Sequence, residues 1–151
     1  MRESHILIRR LGRDDLAILE RVVADVFDFE VDADLSAEFV ADPRHHLVVA
    51  LVEGRVVGFA SGVHYLHPDK PAELFVNELS VASAYRRRGI GRRLLRALLD
   101  HARALGCREA WVATEPQNAA ARALYSAAGG SESPQQFVMV SFMLDDETER
   151  K

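Results

Sequence analysis

The spacing of hydrophobic positions changes several times along the chain, and each change marks a predicted element. Residues 5–9, His-Ile-Leu-Ile-Arg, read as a short strand. Leu16, Leu19, Val23, Val26 and Phe27 then recur at helical spacing behind Asp14, a residue suited to capping. The acidic stretch 28–34 has no period and reads as a loop. A short helix around Ser36, Glu38 and Phe39 follows and ends before Pro43. Runs 47–52 and 56–63 are β-branched and flank Glu53-Gly54, a hairpin signal. Gly58 and Gly62 in the second run predict a bulge or a close backbone approach. Residues 73–81 form the next strand. Leu94, Leu95, Leu98, Leu99, Ala102 and Leu105 then share one face of a helix over about 91–105, which Gly106 stops. A strand over 109–114, a helix over 118–128 closed by Gly129-Gly130, and a final strand over 136–144 complete the pattern, with residues 145–151 expected to fray. The order is β-α-α-β-β-β-α-β-α-β, a mixed α/β architecture in a single domain spanning 1–151, with neither repeat nor linker.

Composition narrows the function classes. A chain of 151 residues that is 48% hydrophobic and 28% charged suits a folded domain and argues against disorder. Its longest apolar runs are too short to cross a bilayer, and residues 1–4 lead into the first strand without a signal-peptide pattern. Cys107 is the sole cysteine, so no intramolecular disulfide is possible; a cytoplasmic location is expected.

The net charge is −4, but the charges are segregated. Arg86, Arg87, Arg88, Arg92, Arg93 and Arg96 cluster, while Asp25, Asp28, Glu30, Asp32, Asp34, Glu38 and Asp42 gather early. Two such zones can serve an anionic and a cationic ligand, or can simply be solvated faces. The acidic balance and the lack of interleaved aromatics argue against a nucleic acid. His45-His46 and His64 with His67 lack the cysteine or ordered acids of a metal ligand set, so no metal is expected. His101 reads as a surface residue and Trp111 as core.

The chemistry concentrates where the strand ending Leu79-Ser80-Val81 runs into Arg86-Arg87-Arg88-Gly89-Ile90-Gly91 and then a helix. Helix N-terminal N–H groups have no internal partner, and with the helix dipole and flanking guanidinium groups they make an anion site. A pyrophosphate is its natural occupant. The Walker pattern is absent, because no Gly-Lys-Ser/Thr is present. The dinucleotide fingerprint fails as well, since Leu94 stands where its third glycine belongs.

Arg86-x-x-Gly89-x-Gly91, paired with Asn118-x-x-Ala121-x-x-Leu124-Tyr125-x-x-x-Gly129 about thirty residues on, resembles the GCN5-related N-acetyltransferase (GNAT) superfamily. The resemblance covers nearly the whole chain and implies that fold, with acetyl-coenzyme A as the donor. It assigns Leu79, Ser80 and Val81 to the pantetheine arm and thioester. Arg86, Arg87, Arg88, Gly89, Ile90, Gly91 and Arg92 fall to the pyrophosphate, and Asn118 and Tyr125 to the coenzyme. A homodimer is implied on the same ground.

Transfer to an amine needs a base for the nucleophile and a proton for the departing thiolate. Glu78 is expected as the general base, Tyr125 as the general acid, and the Val81 N–H as an oxyanion donor. Asp28, Glu30, Asp32, Glu78 and Glu115 are expected to bind the acceptor, a small polycationic amine. Segments 27–30, 64–66, 77–81, 114–115 and 137–144 further resemble the aminoglycoside 3-N-acetyltransferase group, which implies acetylation of an antibiotic amine and resistance to it. A protein or peptide amine as acceptor, and a coenzyme sensor without turnover, stay open beside it.

Overall fold

A computed structural model describes residues 5–145. Five strands, β1 (Ile6–Arg10), β2 (His45–Val52), β3 (Arg55–Tyr65), β4 (Glu73–Val81) and β5 (Glu109–Trp111), lie in the order β1-β2-β3-β4-β5. The first four are antiparallel neighbours, and β5 pairs with β4 in parallel. Among the described residues three α-helices accompany the sheet: α1 (Ala33–Ala41), α2 (Ile90–Ala104) and α3 (Ala119–Ala127). Among the described residues no helix is long and apolar enough to cross a membrane.

The run 47–52 is apolar without alternation because β2 is covered on both faces. Val48, Ala50 and Val52 join Leu74, Val76, Ile90, Leu94, Leu95 and Leu98 under α2. Leu47, Val49 and Leu51 join Leu11, Leu19, Val26, Val56 and Phe59 on the other face. The hairpin turn carries left-handed backbone at both Glu53 (φ 51°) and Gly54 (φ 76°), the primed geometry whose twist suits two paired strands.

Both sequence readings of the β3 glycines hold. The register slips between Ala50 and Leu51 and again between Ser61 and Gly62. A methyl on Gly58 would lie 2.9 Å from the Ser80 carbonyl oxygen, and one on Gly62 2.9 Å from that of Phe75. The strands approach too closely there for any side chain.

α2 buries Leu94, Leu95, Leu98 and Ala102 as its spacing predicted, and Ile90 with them, while Leu99 is only partly buried. Leu105 does not join them: it ends the helix and is exposed. Gly106 follows at φ +83°, and the Cys107 N–H reaches the Ala102 carbonyl (3.0 Å), the Schellman closure that glycine allows.

Three other elements differ from expectation. The first helical stretch is a 3-10 segment, Arg13–Glu20, that stops before Val23, Val26 and Phe27. Val22 bridges Val56, and the Val23 N–H donates to the Val56 carbonyl (2.9 Å), so pairing with β3 pulls the backbone out of helix. β5 ends at Trp111, and its Trp111 is 44% exposed rather than core. Residues 136–144 form no strand at all, because no described strand lies against them to complete a ladder.

Candidate active site

β4 and β5 stay together for only three residue pairs, Glu73 with Glu109, Leu74 with Ala110 and Phe75 with Trp111. β4 then runs on to Val81 with no strand among the described residues on that side. Its register with β3 skips Asn77, since Ser61 faces Glu78 and Gly62 faces Val76. That bulge re-aims the second half of the strand. The Ala82 N–H donates to the Val57 carbonyl (2.8 Å), so alternation turns the N–H and C=O of Leu79 and Val81 toward the open edge. The Val81 carbonyl indeed accepts from Arg86 Nε (3.1 Å) rather than from β3. An extended chain of amides can therefore be paired along this edge, as a strand would be.

The open edge leads to the glycine turn. Arg87 (φ 63°) and Gly89 (φ 74°) are both left-handed, and α2 starts at Ile90. Gly89 precedes the helix and offers no capping side chain, which leaves the first N–H groups to a ligand. The guanidinium of Arg86 braces the turn through Val81, while Arg88 lies over the Tyr85 ring at 5.2 Å and donates to the Ala84 carbonyl (3.4 Å). Arg92 lines a hollow of about 160 Å³ with Arg96, Asp100 and Arg103, between α2 and α3. The positive field at the turn thus comes from a dipole, free N–H groups and several guanidinium groups together.

α3 packs close by. The nearest side-chain atoms to the Gly91 backbone position belong to Leu124 and Leu79. Asn118 begins the helix, its side-chain oxygen accepting the Ala121 N–H (3.0 Å), so that oxygen is committed to the cap. Tyr125 is half-buried against the α2-side core, and burial pushes its phenol above the ordinary value. It is held protonated throughout the neutral range, the form a proton donor needs.

The other face of the sheet is the one Glu78 shares. Glu78 faces Ser61 and Ser80 faces Phe59 across the β3–β4 ladder, and Phe59 stacks on Phe27 with ring centroids 4.2 Å apart. The exposed Glu78 carboxylate therefore belongs to the surface that the early acidic segment covers. Asp28, Glu30 and Asp32 lie there, all exposed; Asp32 caps α1 by accepting the Leu35 N–H (2.8 Å), so its carboxylate already has a structural task. Glu115 is exposed beyond β5 and accepts from Gln117 Nε2 (3.2 Å).

Two features escaped the sequence reading. Asp25, at φ 62°, accepts from both the Ser83 hydroxyl and the Ser83 N–H, tying the acidic segment to the chain just after β4. The Ser83 hydroxyl, and then its N–H, hold the Asp25 carboxyl below its ordinary value. The second is an aromatic shelf: Trp111 packs on Phe75 with centroids 4.5 Å apart and donates its Nε1–H to the Tyr65 hydroxyl (2.5 Å). Alternation in β3 and β4 puts Tyr65 and Phe75 on the Phe59 side, which the sequence does contain as a signal.

Three of the histidines, His46, His64 and His101, gather on the α2 side of the sheet, while His67 meets the Tyr65 ring edge-on at 5.1 Å. His46 Nε2 and His64 Nδ1 share a hydrogen bond (2.7 Å), and Arg10 donates to His101 Nε2 (2.9 Å). His101 is thus half-buried in a cluster rather than a plain surface residue. Among the described residues no group of three or more His, Cys, Asp or Glu is arranged to hold a metal.

Comparison with known proteins decides what this geometry belongs to. The model of the Acetyltransferase (GNAT) family matches residues 15–129. The chain is a GNAT acetyltransferase family member. GNAT acetyltransferases use acetyl-CoA, which accounts for an open strand edge running into a glycine turn.

Relatives of this GNAT chain bear names with different acceptors. It is 42% identical over 90 residues to the N-alpha-acetyltransferase RimI of Mycobacterium tuberculosis (strain ATCC 25618 / H37Rv), a match to 60% of this chain and 54% of that protein. It is 39% identical over 80 residues to an L-2,4-diaminobutyric acid acetyltransferase of Nocardia farcinica (strain IFM 10152), matching 53% of this chain and 40% of that one. The chain thus spans about half the length of these curated relatives. Its fold is similar to that of an aminoglycoside acetyltransferase, meta-AAC0020, from an uncultured soil metagenomic sample, with TM-score 0.77, 20% identity, and 93% and 97% of the two chains covered. AAC(6')-Iy in complex with a bisubstrate analog, CoA-S-monomethyl-acetylneamine, is similar at TM-score 0.75 and 21% identity, over 93% of this chain and all of that one (100%).

Proposed function

We propose that the chain transfers the acetyl group of acetyl-CoA to an amine of a small polycation of the aminoglycoside kind. The observation that carries the donor half is the unpaired edge of β4 between Phe75 and Val81, continuous with the left-handed turn at Arg87 and Gly89. The Leu79 and Val81 amides pair with the pantetheine arm. Ser80 lies between them on the strand with its own N–H and C=O turned to β3, so it serves the coenzyme path by spacing the two amides that face it. Arg86, Arg87, Arg88, Gly89, Ile90, Gly91 and Arg92 hold the pyrophosphate, with Asn118 touching the coenzyme from the start of α3.

The transfer forms a C–N bond and breaks a C–S bond. One proton leaves the amine, and one reaches the departing sulfur. Glu78 receives the first, directly or through one water, and Tyr125 supplies the second. The Val81 N–H steadies the charge that develops on the carbonyl oxygen. The exposed acids Asp28, Glu30, Asp32, Glu78 and Glu115 attract and orient a cation, and the Trp111–Phe75–Tyr65 shelf offers a flat apolar surface for a ring. Support for the 3-N position is the likeness of the short segments, whereas AAC(6')-Iy carries a 6' designation in its name.

A peptide amino terminus is the second reading, favoured by the 42% identity to RimI over 90 residues. The deciding experiment is a thiol-release assay with acetyl-CoA against aminoglycosides, diamines and peptides, followed by NMR of the product to find the acetylated nitrogen. Turnover of aminoglycosides with kcat/KM well above that of peptides is expected. Turnover of peptides alone would overturn the small-polycation reading, and no turnover with any amine would leave only coenzyme binding.

A further inference from the structure

We infer that Asp25 is a positioning residue for the acceptor: its tie to Ser83 hangs the acidic segment 28–30 from the end of β4 and keeps it over the face that Glu78 shares. The inference rests on the acetyl-transfer reading above and adds a residue that acts on the acceptor only through its neighbours.

Asp25 is held in an unusual conformation. Its φ of 62° is left-handed, which strains any side chain, although aspartate tolerates it better than most. Such strain persists where surrounding contacts over-determine it. Here the contacts are with Ser83, 58 positions away: Asp25 Oδ2 accepts both the Ser83 hydroxyl and the Ser83 N–H (3.1 Å). Ser83 opens a 3-10 turn, Ser83–Tyr85, and Ala82 before it supplies no capping side chain. Asp25 thus caps, from a distant part of the chain, a turn that its own neighbours leave uncapped. Both residues are exposed, so burial does not account for the pairing.

The two ends of this tie are not equally secured. On the β4 side the Ala82 N–H donates to the Val57 carbonyl (2.8 Å), the Tyr85 N–H to the Ala82 carbonyl (2.8 Å), and Arg86 Nε to the Val81 carbonyl (3.1 Å). That turn keeps its shape without Asp25. On the other side Val26 is buried and Phe27 stacks on Phe59. Asp28, Phe29 and Glu30 are then all exposed, and no backbone hydrogen bond among the described residues holds them. The chain is next secured at Val31, against the same core, and at Asp32, which caps α1.

Phe59 and Ser61 are one strand repeat apart on β3, about 7 Å, and Ser61 pairs with Glu78. The acids Asp28 and Glu30 therefore leave Phe27 beside the strand pair that carries Glu78. These three carboxylates repel one another, so a segment that gathers them on one face needs an anchor outside them. Asp25 is that anchor.

Asp25→Gly separates this role from a merely structural one, because glycine adopts φ 62° without strain while losing the tie. Steady-state kinetics use acetyl-CoA with whichever aminoglycoside, diamine or peptide the wild type turns over fastest. Asp25→Gly is expected to raise the acceptor KM about tenfold or more and to leave the acetyl-CoA KM within about twofold, as misplaced positioning groups do. Its Tm is expected to equal or exceed that of the wild type. Asp25→Asn, whose amide oxygen still accepts from Ser83, should recover most of the loss. Asp25→Gly combined with Ser83→Ala should be no worse than Asp25→Gly alone. An unchanged acceptor KM, an acetyl-CoA KM that rises as far as the acceptor KM, or fully additive losses in the double variant would each overturn the inference and leave the acetyl-transfer reading standing. Turnover of no amine by the wild type would overturn both. Should Asp25→Gly fail to fold, Ser83→Ala carries the same split between the two KM values, smaller in size because its N–H remains.

Discussion

Replacing Gly89 and Gly91 separately by alanine distinguishes two reasons for a glycine in an anion-holding turn. At Gly89 the backbone is left-handed (φ 74°), and a methyl there would meet no heavy atom within 4 Å. The whole cost of Gly89→Ala is therefore conformational, roughly 1–2 kcal/mol. In a domain of this size each kcal/mol lowers Tm by about 2–4 °C. Relief of that strain would re-aim the free N–H groups, and a loss of about 1.4 kcal/mol of binding raises the KM for acetyl-CoA about tenfold. Gly91 is different: it sits inside α2, and its methyl would point to Leu124 Cδ2 at 3.4 Å and Leu79 Cδ2 at 3.6 Å, ordinary contacts in the interior. Gly91→Ala should keep the KM within about twofold, and helix propensity should hold or raise Tm, by up to about 1 kcal/mol of stability. Thermal melts and steady-state kinetics on the two variants are sufficient. If Gly91→Ala loses acetyl-CoA as badly as Gly89→Ala, the methyl meets the ligand and the assignment of the two glycines is wrong.

Two further outcomes follow from the site and one from the histidine cluster. Glu78→Gln should lower kcat by about 100-fold or more while leaving acetyl-CoA binding intact, and Tyr125→Phe should lower kcat chiefly where thiolate departure limits the rate, which a pH profile with acceptors of different basicity reveals. An unchanged rate for Glu78→Gln, or for Tyr125→Phe at every pH and with every acceptor, removes that residue from proton transfer. His46 is buried, and burial, then the neighbouring charges of His101, His64 and Arg10, push its pKa from 6.5 down to about 4. The folded state thus resists a proton that the unfolded chain accepts below pH 6.5. Stability is full above that pH, falls as pH drops toward 4 and levels off below, with a loss of about 2 kcal/mol between pH 7 and 5. Urea midpoints of wild type and His46→Gln should differ in pH dependence, wild type falling between pH 7 and 5 and the variant staying flatter; parallel curves would show that His46 does not carry the effect.

Much of this fold was legible because local and tertiary demands agreed. The α2 stripe from Leu94 to Ala102 had only one way to be buried, and Glu53-Gly54 could adopt only a turn that suits its flanking strands. Where long-range pairing decided, the local pattern misled. Val22 and Val23 keep helical spacing with Leu19, yet β3 claims them through Val56. The run 136–144 has strand composition but no ladder partner among the described residues of its own chain. At the site, glycine and arginine spacing was readable because a turn is a local structure. The Asp25–Ser83 tie spans 58 positions, and the Trp111 shelf depends on where β5 stops, so neither is encoded in a short window.

The measurement that bears most directly on the donor site is a calorimetric titration of acetyl-CoA beside S-acetylpantetheine, which lacks the pyrophosphate and the 3'-phosphoadenosine beyond it, repeated with Gly89→Ala. If the turn at Arg86 to Gly91 holds that group through N–H and guanidinium donors, each charge-assisted bond contributes about 1.5–3 kcal/mol. Loss of two of them should weaken binding by about 100-fold or more, and Gly89→Ala should narrow the gap. Equal affinity for the two ligands would contradict a pyrophosphate site at the start of α2.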